Sequence, residues 1–104
     1  MVVTFKAELW IWDARRADSW TFVSLPAKAS DEIRDEIRAN AGEPRRGFGS
    51  VRVRVRVGRS TWTTSIFPDS ASGTYALPIK RAVREAEGLV VGDTAAVTVE
   101  LLDA

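Results

Sequence analysis

The sequence predicts one mainly β domain, a small barrel or sandwich of six short strands with two short helices. Three observations carry this reading. Alternating apolar and polar residues recur in short runs, most clearly in Val51-Arg52-Val53-Arg54-Val55-Arg56-Val57, which is the period of a half-buried strand. Turn-forming residues punctuate the runs at Pro26, Gly58-Arg59, Pro68 to Gly73 and Gly92-Asp93. A chain of 104 residues with 45% hydrophobic content suffices for one core and is too short for two.

In order along the chain, Val3, Phe5, Ala7, Leu9 and Ile11 share one parity, while Thr4, Lys6 and Glu8 share the other. The first strand therefore buries the former set, and Trp10 and Trp12 fall on the outer face. Asp13 to Ser19 is a polar connection. Trp20 to Leu25 forms a second strand closed by Pro26, with Trp20 expected in the core. Ser30 is read as the N-cap of a short helix, because its hydroxyl can accept a first-turn N–H. Asp31 and Glu32 would then sit at the positive end of the helix dipole. Ile33 and Ile37 give the helix a narrow apolar stripe suited to covering one edge or mouth of a sheet, and Gly42 is its expected left-handed stop.

Gly47-Phe48-Gly49 leads into the strand from Val51 to Val57. Gly58-Arg59 is a two-residue hairpin loop with Gly first, and Ser60 to Ile66 is the return strand. Pairing Val57 with Ser60 sets Val55 against Trp62, Val53 against Thr64 and Val51 against Ile66 on one face. Arg56, Arg54 and Arg52 then face Thr61, Thr63 and Ser65 on the other. Both strands agree on the apolar face, so the register supports itself. Thr74 to Leu77 is a short strand. Pro78 is placed at the first position of a second helix, with Ile79, Ala82, Val83 and Ala86 as its apolar stripe and Gly88 as its end. Thr94 to Leu102 is the last strand, with Val97, Val99 and Leu101 on one side.

Composition excludes several chemistries. There is no Cys and no His, so disulfides, thiol chemistry and ordinary zinc sites are out. No metal or other cofactor is expected. A hydroxyl nucleophile would have to use a Lys base, as Ser65 with Lys80, but Ser65 falls on the Arg-bearing face. The acids lie at helix starts, turns and exposed strand faces and do not converge as a catalytic pair would. The reading is therefore of a protein that is not an enzyme. The opening residues carry alternating charges, and no apolar run approaches a membrane span, which points to a cytosolic protein with no membrane role. Twelve Arg against three Lys, with one Asn and no Gln, reads as the codon bias of a GC-rich genome.

The net charge of +1 suggests no partner, but its distribution does. From Arg45 to Arg59 there are six Arg and no acid. Outward Arg52, Arg54 and Arg56 keep a strand soluble and discourage edge pairing. The same row could hold a nucleic acid or another polyanion. Lys80 and Arg84, four residues apart, either form a solvated helix face with Glu87 as partner or an anion clamp at the barrel rim. Trp10 and Trp12 are either covered by a helix or a second subunit, or present a stacking surface for a base or sugar.

Several motifs taken together resemble a known family. They are Phe5-x-Ala7-x-Leu9; Trp20-x-Phe22-Val23-x-Leu25-Pro26; Trp62-x-Thr64-Ser65-Ile66-x-Pro68; and Tyr75-x-Leu77-Pro78-Ile79-Lys80-x-x-Val83-Arg84 followed by Gly88-Leu89 and Gly92-Asp93. In this order, from Phe5 to Leu102, they resemble the bacterial domain of unknown function DUF1905. The resemblance implies a closed or nearly closed six-stranded barrel of Greek-key type with two short helices, and no activity. Some relatives carry a second domain associated with bacteriocin protection, which these residues do not include. Leu77 to Glu100 is also similar to the swapped-hairpin transition-state regulators, which are dimeric DNA binders; that likeness is one of helix-turn-strand architecture, and architecture does not fix function. The expected function is a non-enzymatic binding or interaction module, with a nucleic-acid- or polyanion-binding barrel using the outward Arg row as the alternative and an enzyme without His or Cys chemistry third.

Overall fold

A computed structural model describes residues 1–12, 20–40 and 49–102. Seven strands and two helices follow one another as β1 (Val2–Glu8), β2 (Trp10–Ile11), β3 (Thr21–Ser24), α1 (Ala27–Asn40), β4 (Val51–Val57), β5 (Ser60–Asp69), β6 (Thr74–Pro78), α2 (Arg81–Glu87) and β7 (Thr94–Leu101). The sheet order is β1-β7-β4-β5-β6-β3-β2, and every pairing is antiparallel. Within it, β7-β4-β5-β6 is a Greek-key arrangement: three consecutive strands, and a fourth returning through α2 to lie beside the first.

The architecture is an open, curled half-barrel, where six strands and near closure were expected. The first expected strand divides at Leu9. Up to Glu8 the chain pairs with β7. The Leu9 N–H then donates to the Asp93 carbonyl at 2.9 Å and its carbonyl accepts from Gly92, after which β2 pairs with β3 instead. Leu9 itself is buried at this corner.

The β4–β5 hairpin has the expected register, residue for residue. Gly58 has φ +58°, the left-handed value that a Gly-first loop needs. Val51, Val53, Val55 and Val57 are buried with Trp62 and Ile66, and the intervening arginines are exposed. Each buried valine contributes about 1.5–3 kcal/mol relative to exposure. β7 adds Ala95, Val97, Val99 and Leu101 to the same face. β5 runs on through Pro68 to Asp69, beyond its expected end at Ile66. Pro68 is tolerated because its missing N–H would point to the β4 side, and β4 begins at Val51 opposite Ile66.

Three local expectations are corrected. Helix α1 begins at Ala27, so Ser30 lies inside it and its first turn carries no acid. The Ser30 N–H bonds the Pro26 carbonyl at 2.9 Å. Its fully buried hydroxyl accepts from the Tyr75 N–H at 3.1 Å, which fastens the helix to β6. Ile33 is buried and Ile37 packs on the core, while the Arg34 guanidinium lies 5.5 Å from the Tyr75 ring centroid. Pro78 ends β6, and α2 starts at Arg81 with Lys80 as N-cap. Ile79 and Val83 are buried, but Ala82 and Ala86 are exposed. Gly88 closes α2 in the left-handed conformation, as expected. Trp20, placed in the core by its hydrophobicity, is 58% exposed. The inner face of β3 belongs to Thr21 and Val23, and Val23 pairs with buried Leu77. The expected stop at Gly42, the polar connection 13–19 and the Gly47-Phe48 lead-in lie outside the described residues.

Candidate ligand-binding site

β6 pairs with β5 over three rungs and then parts from it, and strand alternation explains where. In β6, the Tyr75 carbonyl accepts from Leu25 and the Ile79 N–H donates to Thr21, at 2.9 and 2.8 Å. Residues 75, 77 and 79 thus turn their backbone groups to the β3 side, and 74, 76 and 78 turn theirs to β5. Thr74 and Ala76 pair there with Asp69 and Phe67. The next rung would join Pro78 to Ser65, and proline has no N–H to give. The ladder ends at that rung and the sheet forks.

A cleft of ≈ 380 Å³ occupies the fork. One wall is β5, with Trp62, Thr63 and Thr64. The other is Trp20 and Thr21 of the β3 segment with Pro78 and Ile79. Lys80, Arg81 and Arg84 complete the lining, which among the described residues holds no carboxylate. Cations facing apolar aromatic walls attract an anion that also has apolar surface to bury.

Trp20, Arg81 and Arg84 are held by contacts from outside the cleft. Trp20 stacks on Phe22 with ring centroids 6.1 Å apart, and Phe22 stacks on Trp10 at 5.0 Å. The Trp10 indole N–H donates to the Ser24 hydroxyl at 2.9 Å, which anchors the row. The Arg84 Nε donates to the Ile79 carbonyl at 3.2 Å. Arg81 pairs with Glu85 at 2.9 Å in an exposed contact, which is a weak tie. Among the described residues the Lys80 ammonium has no ion-pair partner. Glu87 is not the partner of Arg84. Its carboxylate accepts from the Ser60 hydroxyl at 2.7 Å and lies 3.4 Å from the Arg59 N–H, which pins α2 to the β4–β5 hairpin.

The candidate residues read from the sequence thus fall in three places. Lys80 and Arg84 line the cleft together. Arg52, Arg54 and Arg56 stand exposed on the outer face of β4, where Arg54 is bonded to Glu100 at 2.7 Å and the Arg56 Nε to the Gly58 carbonyl at 3.3 Å. Trp10 and Trp12 lie outside, as their parity requires; Trp10 is half-buried under Phe22, and Trp12 is 67% exposed. Sequence reasoning missed Trp20, Arg81 and the free edge at Thr63. The signal for Trp20 was present: Trp10 pairs with Phe22, so Trp12 and Trp20 follow on the same outer face.

Among the described residues no group of three or more acidic side chains gathers as a cation site would require, and no helix is long and apolar enough to cross a membrane. The family model described as domain of unknown function (DUF1905) matches residues 5–99, nearly the whole chain, and the chain belongs to that family. No curated protein matches it.

Proposed function

We propose that this member of the DUF1905 family is a non-enzymatic binding module whose ligand site is the forked cleft, and that its ligand is an anion of modest size with a flat or apolar portion. One observation carries the reading: among the described residues, two tryptophans and three cations line a single cleft with no carboxylate beside them. The cleft falls within the usual size range of small-ligand pockets, about 300–1,000 Å³. Lys80 and Arg84 act as the anion clamp, and Trp20 and Trp62 provide apolar contact.

The test is titration with benzoate and with phenyl phosphate, followed by amide chemical shifts. Shifts centred on Thr63 and on Ile79 to Arg84 are expected, with loss of binding in the Lys80→Ser/Arg81→Ser double variant. No shift at millimolar ligand, or shifts centred elsewhere, would overturn the assignment.

The outward row of Arg52, Arg54 and Arg56 supports a second reading, polyanion binding, through its shared exposed face. It ranks lower because Glu100 sits within that face and takes up Arg54. Trp12 and Trp20 leave an exposed aromatic rim, open to stacking with a base or to self-association.

A further inference from the structure

We propose that the occupant of the cleft is a peptide C-terminus, laid against β5 as an added antiparallel strand; this rests on the cleft being the ligand site and names the class of ligand. The Leu102 N–H donates to the Arg52 carbonyl at 3.1 Å, so Arg52, Arg54 and Arg56 turn their backbone groups toward the β7 side. Val51, Val53, Val55 and Val57 turn theirs toward β5. Their partners Ile66, Thr64, Trp62 and Ser60 face back to β4. Thr63 and Ser65 therefore aim N–H and C=O the other way. Their counterparts Phe67 and Asp69 are taken by β6, but at Thr63 and Ser65 no strand is paired on that side among the described residues.

Unpaired strand edges are templates for another chain. This one spans two alternate positions, about 7 Å, which suits the last two or three residues of an extended peptide. Polarity follows from the cations. Thr63 lines the cleft together with Lys80, Arg81 and Arg84. A strand antiparallel to β5 runs from Ser65 toward Thr63, so its terminal carboxylate arrives at Lys80, Arg81 and Arg84. Its side chains meet Trp62 on one side of the sheet and Trp20 across the fork. The ligand completes the rung that Pro78 cannot form.

The experiment compares acetyl-Ala-Val-Phe bearing a free carboxylate, the same peptide as its C-terminal amide, and phenyl phosphate. Each is titrated into wild type and Thr63→Pro. That substitution removes an N–H which β4 does not use. The free acid is expected to bind about tenfold more tightly than the amide and to lose about tenfold in Thr63→Pro, the equivalent of one or two hydrogen bonds. The peptide should also slow hydrogen exchange at the Thr63 and Ser65 amides of the wild type, a readout independent of how the variant folds. Phenyl phosphate binding at the cleft without peptide binding, or peptide binding without amide protection, would overturn the added strand and leave the site standing. Failure of both ligands would overturn the site as well.

Discussion

Gly58→Ala should destabilise the domain by two separable effects. Gly58 has φ +58°, where an L-residue costs about 1–2 kcal/mol. A Cβ built there would also overlap the Glu87 carboxylate, which accepts from the Ser60 hydroxyl at 2.7 Å. Displacing it removes a charge-assisted bond, worth about 1 kcal/mol at this part-buried position. The total is about 2–3 kcal/mol, a fall in melting temperature of very roughly 10–20 °C for a domain of this size. The assay is a double-mutant cycle with Glu87→Ala, by chemical denaturation. With the carboxylate gone, Gly58→Ala should cost only its backbone part, leaving a coupling of about 1 kcal/mol. Equal costs in both backgrounds would refute the seating of Glu87 over the hairpin, and with it the anchoring of α2 beside the cleft.

Val53 is fully buried between β5 and β7, so Val53→Ala should cost about 1–3 kcal/mol, whereas Arg54→Ala, which breaks an exposed ion pair, should change the unfolding free energy measured by chemical denaturation by less than about 0.5 kcal/mol. If the Arg face binds single-stranded DNA, neutralising about three phosphates gives a log-affinity against log-salt slope near −2. Anisotropy on wild type and on the triple Ser variant of Arg52, Arg54 and Arg56 checks this, and equal binding by both would dismiss the face. With neither Cys nor His in the chain, chelator should leave the melting temperature unchanged; a drop of several degrees would point to a carboxylate-bound hard cation.

What the sequence made legible was set by two-residue periodicity. The β4–β5 register could be read because both strands alternate and Gly58 fixes the phase. The same rule placed Trp10 and Trp12 outside. It failed for Trp20 because hydrophobicity outweighed parity in the reading: Trp20 and Phe22 lie on the outer face, while Thr21 is buried. The cleft was hidden for a different reason. Pro78 suits a first helical turn as well as the end of a ladder, and only the pairing of β6 with both β3 and β5 decides between them. Lys80 and Arg84 were legible as a pair by their spacing. Their meeting with Trp20 and Trp62 depends on tertiary structure and has no local signature.

The pairing of β1 with β7 has a consequence for biosynthesis. Val2 lies opposite Glu100 and Glu8 opposite Thr94, so one edge of the sheet joins segments from opposite ends of the sequence. Contacts of such long separation slow folding. A nascent chain can form the β4–β5 hairpin early, but the valine-rich β4 waits for β7 to emerge before its second edge is covered. Until then an apolar strand with an open edge is exposed to other chains. The alternating arginines of β4 place a charge at every second residue of that strand during this interval, and charge along an open strand disfavours pairing with another chain before the folded protein has any ligand to meet.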